Sequence, residues 1–353
     1  MPEPLHEARH WKIDEHGRVV CTLCPHNCKM RDGMTGICGV RKNVNGKLYT
    51  LIYGKPSSIA LDPVEKKGLH HFYPGSLTYS LGTVGCNLGC SFCQNSSISQ
   101  VNPDDIPLTT VSANQLPILC KKHNCDGVAW TYNEPIIWHE WALDGAKELK
   151  KNGYYTIYKT NGFINEEPFN EIVDYVDAWS VDVKAWTNKF YMEICKARLA
   201  PVLQTAKWVY ERKKHLEITY LIVPTLNDKI DEFQGFSNWV LNELSADIPV
   251  HFTRFHPDFQ LQHLPYTPMD TLLTAWNIAK KSGLKYVYLG NVPRHGEFEN
   301  TYCPNCGTLL IERYNFEVHF DKLKNNSCAK CGTKIPITGS PKKQVLAYPK
   351  PVF

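Results

Sequence analysis

With 353 residues the chain exceeds one average domain, but it suits a barrel of about 250 residues carrying small appendages. Its 43% hydrophobic and 21% charged residues are the proportions of an ordinary soluble globular protein, which excludes a disordered chain. A formal net charge of +4, from 39 basic and 35 acidic residues, is too small to specify nucleic acid or an anionic membrane surface as a partner.

The N-terminal stretch MPEPLHEARHWKIDEHGR has acids and histidines where a signal peptide needs a positive start and an apolar run, and no apolar run along the chain is long enough to span a membrane. A cytoplasmic location is the expectation. In that compartment clustered cysteines more often hold metals than form disulfides, and the chain has 14 cysteines. The first group is CTLCPHNC followed by GICG (Cys21, Cys24, Cys28, Cys38). Its spacing permits a four-thiolate zinc site, with His26 as a substitute ligand, or an auxiliary iron-sulfur cluster.

From residue 78 onward short apolar runs alternate with longer amphipathic ones. Strands are expected at 78–84, 127–131, 154–160, 178–184, 216–223 and 250–255, all rich in β-branched and aromatic residues. Helical spacing fills the intervals, as at 136–151 and at 270–281, the latter opened by Asp270 as an acidic cap candidate and closed near Gly283. Repeated strand-helix units imply a parallel sheet with right-handed crossovers. A further strand-like run covers 286–292. Too few helical units are present for a closed eight-unit barrel, so the expected fold is a partial (β/α)6 barrel.

In such barrels chemistry sits at the carboxyl ends of the strands. The loop GCNLGCSFCQN, residues 85–95, follows the first strand and carries Cys86, Cys90 and Cys93. Three thiolates at that tight spacing suit an iron-sulfur cubane, and they leave one iron without a protein ligand. The competing reading is a zinc site completed by a remote histidine, or three structural thiols. Further polar groups follow the other strands: YNEP at 132–135, TNG at 160–162, Asp182 and Lys184, PTLND at 224–228, and His256. All point to one mouth.

After the barrel, CPNCG and CAKCG (Cys303, Cys306, Cys328, Cys331) read as two knuckles of a ribbon around one tetrahedral metal, with Gly307 and Gly332 making the turns. Zinc is expected because a closed four-thiolate site needs no redox partner, although a single rubredoxin-like iron has the same spacing. Cys120, Cys125 and Cys195 stand apart and are expected to be buried small hydrophobes.

The triplet resembles the signature of the radical S-adenosylmethionine (SAM) superfamily. Together with LCPHNC, YGKPSSIALDPVEKKGLHHFYPGS, TYNEP, DVKAW, RFHPD and GNVP…ENTYCPNCG, it makes the chain resemble the radical SAM enzymes of AmmeMemoRadiSam systems, relatives of pyruvate formate-lyase activating enzyme. The resemblance implies a 4Fe-4S cluster on Cys86, Cys90 and Cys93, SAM on its open iron, and a 5'-deoxyadenosyl radical that abstracts hydrogen from a protein glycine, a side chain or a small molecule. It implies that Phe92 lies beside the adenine and that Asn133 and Glu134 stand where the activating enzymes have a glycine-glycine-glutamate motif for the SAM amino group. It further implies Lys184 on the SAM carboxylate, with Asp182 and Asn161 near by and His256 toward the ribose or adenine. A reductant such as flavodoxin or ferredoxin is an implied partner. The expected division is an N-terminal Cys-rich segment (1–75), the barrel (76–295), a four-Cys module (296–340) and a tail (341–353). The reading from another class is a non-enzymatic metal-rich protein that binds protein or nucleic acid through its ribbons; the short basic runs weigh against it, and the open-site triplet would have no purpose in it.

Overall fold

A computed structural model describes residues 5–292, 296–314, 316–320 and 322–342. Pro293 of the GNVP motif and the tail from residue 343 lie outside the described residues.

The strand-like runs pair into one eight-stranded sheet. In chain order its strands are β1 (Ser58–Pro63), β2 (Leu77–Gly82), β3 (Gly127–Trp130), β4 (Tyr155–Thr160), β5 (Ala178–Asp182), β6 (His215–Ile222), β7 (Val250–Arg254) and β8 (Val287–Gly290), and they lie side by side in that same order. Strands β2 to β8 are parallel, and β1 joins β2 antiparallel. Among the described residues β1 and β8 remain edges, so the barrel is partial as expected; the six expected strand-helix strands and the further run at 286–292 give seven parallel strands, and β1 adds an antiparallel edge that was not expected.

Alternation along each strand gives the sheet two unlike faces. Trp130, Tyr158, Trp179, Val181, Ile218, Tyr220 and Phe252 are fully buried among the helices. Burying an aliphatic or Phe side chain of this kind stabilises by about 1.5–3 kcal/mol. The covering helices include α1 (Leu116–Lys122), α2 (His139–Lys151), α3 (Glu166–Ile172), α4 (Leu199–Glu211), α5 (Ile230–Trp239) and α6 (Met269–Ser282). Asp270 lies in the first turn of α6 and not at its cap, because Pro268 occupies the capping position without a side-chain bond. Gly283 ends α6 at φ 114°, a conformation that favours glycine.

The inner face is polar. Register sets Lys159 of β4 opposite Ser180 of β5, and Asp182 of β5 opposite Thr219 of β6. Lys159 Nζ accordingly reaches Asp182 Oδ1 at 2.6 Å, Thr219 Oγ1 at 3.0 Å and Ser180 Oγ at 3.1 Å. Lower down, toward the amino ends of the strands, the fully buried Glu217 takes hydrogen bonds from the backbone N–H groups of His70 and His71 and pairs with the rings of His215 and His251. These bonds compensate for placing a carboxylate inside the sheet.

Two small units attach at opposite ends. Residues 6–50 form two three-stranded antiparallel sheets whose Val19, Leu23, Met30, Val40 and Leu48 join the barrel core. At the carboxyl end of the chain, Leu310, Ile311, Val318, Cys328 and Ile335 share a separate core with Tyr286 and Tyr288. Tyr288 enters β8 near its start, so this ribbon packs beneath the barrel, away from the strand ends that carry the triplet.

Candidate active site

The loop leaving β2 turns at Gly85, φ 82°, where a Cβ would fall 2.4 Å from the Cys38 carbonyl oxygen and 2.7 Å from Val40 Cγ1. Only glycine fits so close an approach. The loop is then fastened through its own backbone. Gly89 N–H donates to Cys195 O at 2.9 Å and Ser91 N–H to Ile194 O at 3.0 Å, while Ser91 O accepts from Gln260 N–H at 3.0 Å. His26 Nε2 lies 2.7 Å from Asn87 O on the opposite side.

Cys90 is buried and Cys86 and Cys93 are half-buried, with donors beside the sulfurs of the latter two. Leu88 N–H is 3.4 Å and Asn161 Nδ2 3.8 Å from Cys86 Sγ, and Ser99 Oγ is 3.0 Å from Cys93 Sγ. Burial pushes the Cys86 and Cys93 thiols up, and for Cys90 a hydrogen bond with Cys195 acts ahead of burial in the same direction. The pocket therefore disfavours bare thiolates, and a bound metal would supply the missing positive charge. Cys195 is buried, as expected of an isolated cysteine, yet it touches Cys90; sequence separation concealed that contact.

Lys184 is half-buried just past the end of β5, its Nζ 3.0 Å from Asp182 Oδ2 and 5.9 Å above the ring of Phe92. Burial opposes its charge, but Asp182 and the nearby Cys90 outweigh it, and the ammonium is held well above its ordinary pKa. Burial likewise works against the Asp182 carboxylate, and Lys159 and Lys184 overcome it and lower its pKa. Asn161 joins the same group: its Nδ2 also donates to Asn87 Oδ1 at 2.8 Å.

Glu134 is committed to the scaffold. It accepts Ile136 N–H at 3.0 Å and Thr160 Oγ1–H at 2.6 Å on Oε1, and Asn161 N–H at 2.7 Å on Oε2. Burial nevertheless raises its pKa to about 7. A carboxylate offers about four acceptor positions, so one remains for a ligand donor. Asn133 bridges Thr83 N–H (3.0 Å) and Gly85 O (2.8 Å), pinning the start of the cysteine loop. Its neighbour Tyr132 takes a left-handed φ of 70°, an unusual conformation for a bulky residue. In PTLND, Asn227 is fully buried and donates to Lys184 O at 2.7 Å and Leu221 O at 2.8 Å, tying two strand ends together. His256 stands apart from this set: its side chain is 54% exposed, 3.3 Å from Asp258.

Lys159, Asp62 and Lys67 were not singled out from sequence. Lys67 is buried, Nζ 2.5 Å from Asp62 Oδ2, and burial lowers its pKa to about 8; Tyr132 Oη–H donates to the same oxygen at 2.6 Å. The available signal was a lysine inside the apolar run YYTIYKT and an aspartate preceding a lysine pair in ALDPVEKKG.

The four C-terminal sulfurs lie within 4.8 Å of one another, with Cys303 Sγ to Cys331 Sγ at 3.5 Å and Cys306 Sγ to Cys328 Sγ at 3.7 Å. Gly307 N–H to Cys303 O (2.9 Å) and Gly332 N–H to Cys328 O (2.8 Å) close matching turns at φ 69° and 75°. The N-terminal Cys21, Cys24, Cys28 and Cys38 instead line a single cavity.

Residues 80–237 match the family model described as Radical SAM superfamily. An uncharacterized protein of Methanocaldococcus jannaschii is 43% identical over 335 residues, covering 94% of this chain and 99% of that one. The pyruvate formate-lyase-activating enzyme of Staphylococcus epidermidis is 28% identical over 237 residues, covering 62% of this chain and 92% of the enzyme. Among solved structures, a radical SAM methyltransferase from Sphaerobacter thermophilus is similar at 14% identity and a TM-score of 0.48, over 67% of this chain and 71% of that one.

Proposed function

The chain belongs to the radical SAM superfamily and is related to the pyruvate formate-lyase activating enzymes, and from that premise we propose that Cys86, Cys90 and Cys93 hold a 4Fe-4S cluster whose open iron binds SAM. The observation that carries the reading is the set of three cysteines on one strand-end loop, with Lys184, Phe92 and Asn161 grouped around them. Among the described residues no three ligand atoms of this loop lie within 4.8 Å of one another, whereas one tetrahedral zinc would hold its thiolates about 3.8 Å apart, given Zn–S bonds of about 2.3 Å. The wider spacing suits thiolates on separate irons.

A cluster held by Cys86, Cys90 and Cys93 would supply, once reduced, the one electron that splits the SAM sulfonium into methionine and a 5'-deoxyadenosyl radical able to take hydrogen from a substrate. The residues divide the remaining work. Lys184 supplies a half-buried ammonium for the SAM carboxylate, held in place by Asp182. Phe92 offers a ring face for the adenine, and Asn161 donates toward Cys86 Sγ. Glu134 holds Thr160 and Asn161 in position and keeps one acceptor site for the SAM amine. Asn133 anchors the loop, and His256 serves the ribose or adenine from the rim of the mouth. The polar inner face with Lys67, Asp62 and Lys159 receives the substrate, a protein glycine or side chain or a small molecule. Flavodoxin or ferredoxin supplies the electron in the cytoplasm. Zinc occupies the C-terminal four-thiolate site, where sulfur separations of 3.5 and 3.7 Å suit a closed tetrahedron with no open position.

The test is anaerobic incubation of the reduced, reconstituted protein with SAM and deuterated candidate substrates. Deuterium carried into 5'-deoxyadenosine identifies the substrate. Cleavage of SAM that no candidate partner stimulates or labels contradicts hydrogen abstraction from that set.

A further inference from the structure

We infer that Cys21, Cys24, Cys28 and Cys38 hold a second 4Fe-4S cluster, fully ligated by protein and directly adjoining the loop that carries Cys86. The four cysteines belong to one cavity, which Arg41 and Asn87 also line. One of their sulfurs receives a backbone donor as metal thiolates do: Ile37 N–H reaches Cys28 Sγ at 3.5 Å. The buried Arg41 guanidinium lines the same cavity and would offset the negative charge of bound thiolates.

The choice between one ion and a cluster rests on spacing. The C-terminal four gather every sulfur within 4.8 Å, as a single tetrahedral ion requires. Among the described residues neither Cys21, Cys24, Cys28 and Cys38 nor His26 forms a group of three ligand atoms that close. The N-terminal set thus shares its open spacing with Cys86, Cys90 and Cys93, yet it encloses a cavity. Thiolates on four different irons meet both conditions, whereas one zinc would draw the sulfurs to about 3.8 Å of one another. With all four irons ligated, no position is open to substrate, and the chemistry left to the centre is one-electron exchange.

The neighbouring loop is in contact twice. His26 Nε2 bonds Asn87 O at 2.7 Å, and the Cys38 carbonyl presses against Gly85, on either side of Cys86.

The test uses the full chain, purified and reconstituted without oxygen. The variant Cys86→Ala/Cys90→Ala/Cys93→Ala should retain about four iron and four sulfide per chain, and after reduction it should show a 4Fe-4S paramagnetic resonance signal that SAM does not alter. Adding Cys24→Ala and Cys28→Ala should remove that iron. Should this variant not fold, Cys28→Ser in the triple-alanine background should keep the fold and shift the signal. Two zinc ions and no iron in the triple-alanine variant would overturn the inference, as would residual iron indifferent to changes at Cys24 and Cys28. The inference is independent of the SAM-site reading: wild-type iron of about four per chain, lost only with the N-terminal cysteines, would sink that reading and leave this one standing.

Discussion

Lys184 and Glu134 carry charges of opposite sign into the same buried mouth, and their partners set different tasks for them. Lys184 has one carboxylate partner, Asp182, which Lys159 also neutralises, so the loss of the ammonium leaves no unpaired charge. Lys184→Met should therefore preserve the fold and weaken SAM binding by about 1.5–3 kcal/mol, the range for a hydrogen bond to a charged group, in anaerobic calorimetry. Unchanged affinity would remove Lys184 from the site. Glu134→Gln should cost about 1–3 kcal/mol of stability, because an NH2 group would replace one of two oxygens that each face a donor. The carboxyl also gives stability a pH dependence. With its pKa raised from 4.5 to about 7, the folded chain keeps a proton that the unfolded chain loses, so this contribution is present below pH 4.5 and is lost as pH rises through about 7. Thermal melts of the glutamine variant should lack that part of the slope. The triplet was legible at this scale because three cysteines share one loop. The partners of Glu134 were not, because Thr160 and Asn161 come from another strand end and a sequence does not say which donors surround a carboxylate.

The strand-helix rhythm was legible because parallel strands buried behind helices need unbroken β-branched and aromatic runs. β1 was missed: SIALDP places a buried Asp62 and a terminal Pro63 in a strand at the sheet edge, where proline is tolerated and apolar alternation is weak. The ribbon at the opposite end of the chain was read correctly as two knuckles, but its seat beneath the barrel depends on tertiary contacts. There His71 Nε2 meets Tyr288 Oη at 2.7 Å and Nδ1 meets Pro336 O at 3.3 Å. Burial lowers the His71 pKa from 6.5 to about 3, against the pull of Glu217. The unfolded chain takes up that proton first, so stability present above pH 6.5 is lost as pH falls toward 3. His71→Leu should flatten melting temperature against pH over this window, and an unaltered slope would assign the acid sensitivity elsewhere. Loss of the ribbon metal is a separate event. Cys303→Ser should release zinc and lower thermal stability, while folded protein still cleaves SAM; a folded, zinc-free variant with no cleavage would give the ribbon a part in the chemistry.

Across the whole molecule, the three cysteine groups take different positions relative to one barrel. The ribbon closes the end away from the chemistry, the triplet stands at the strand ends, and the N-terminal four lie behind the triplet, against Gly85 and Asn87. Spacing in the sequence marked all three as metal sites. It left zinc and iron-sulfur open for the N-terminal group, because that distinction depends on how far apart the folded chain holds the sulfurs. The central claim is that the triplet makes this chain a SAM-cleaving enzyme, and the most direct measurement is 5'-deoxyadenosine formed from SAM by the reduced, reconstituted protein and by its Cys86→Ala/Cys90→Ala/Cys93→Ala variant. The account predicts formation by the wild type and none by a variant that still holds its C-terminal metal. Equal formation by both would contradict it.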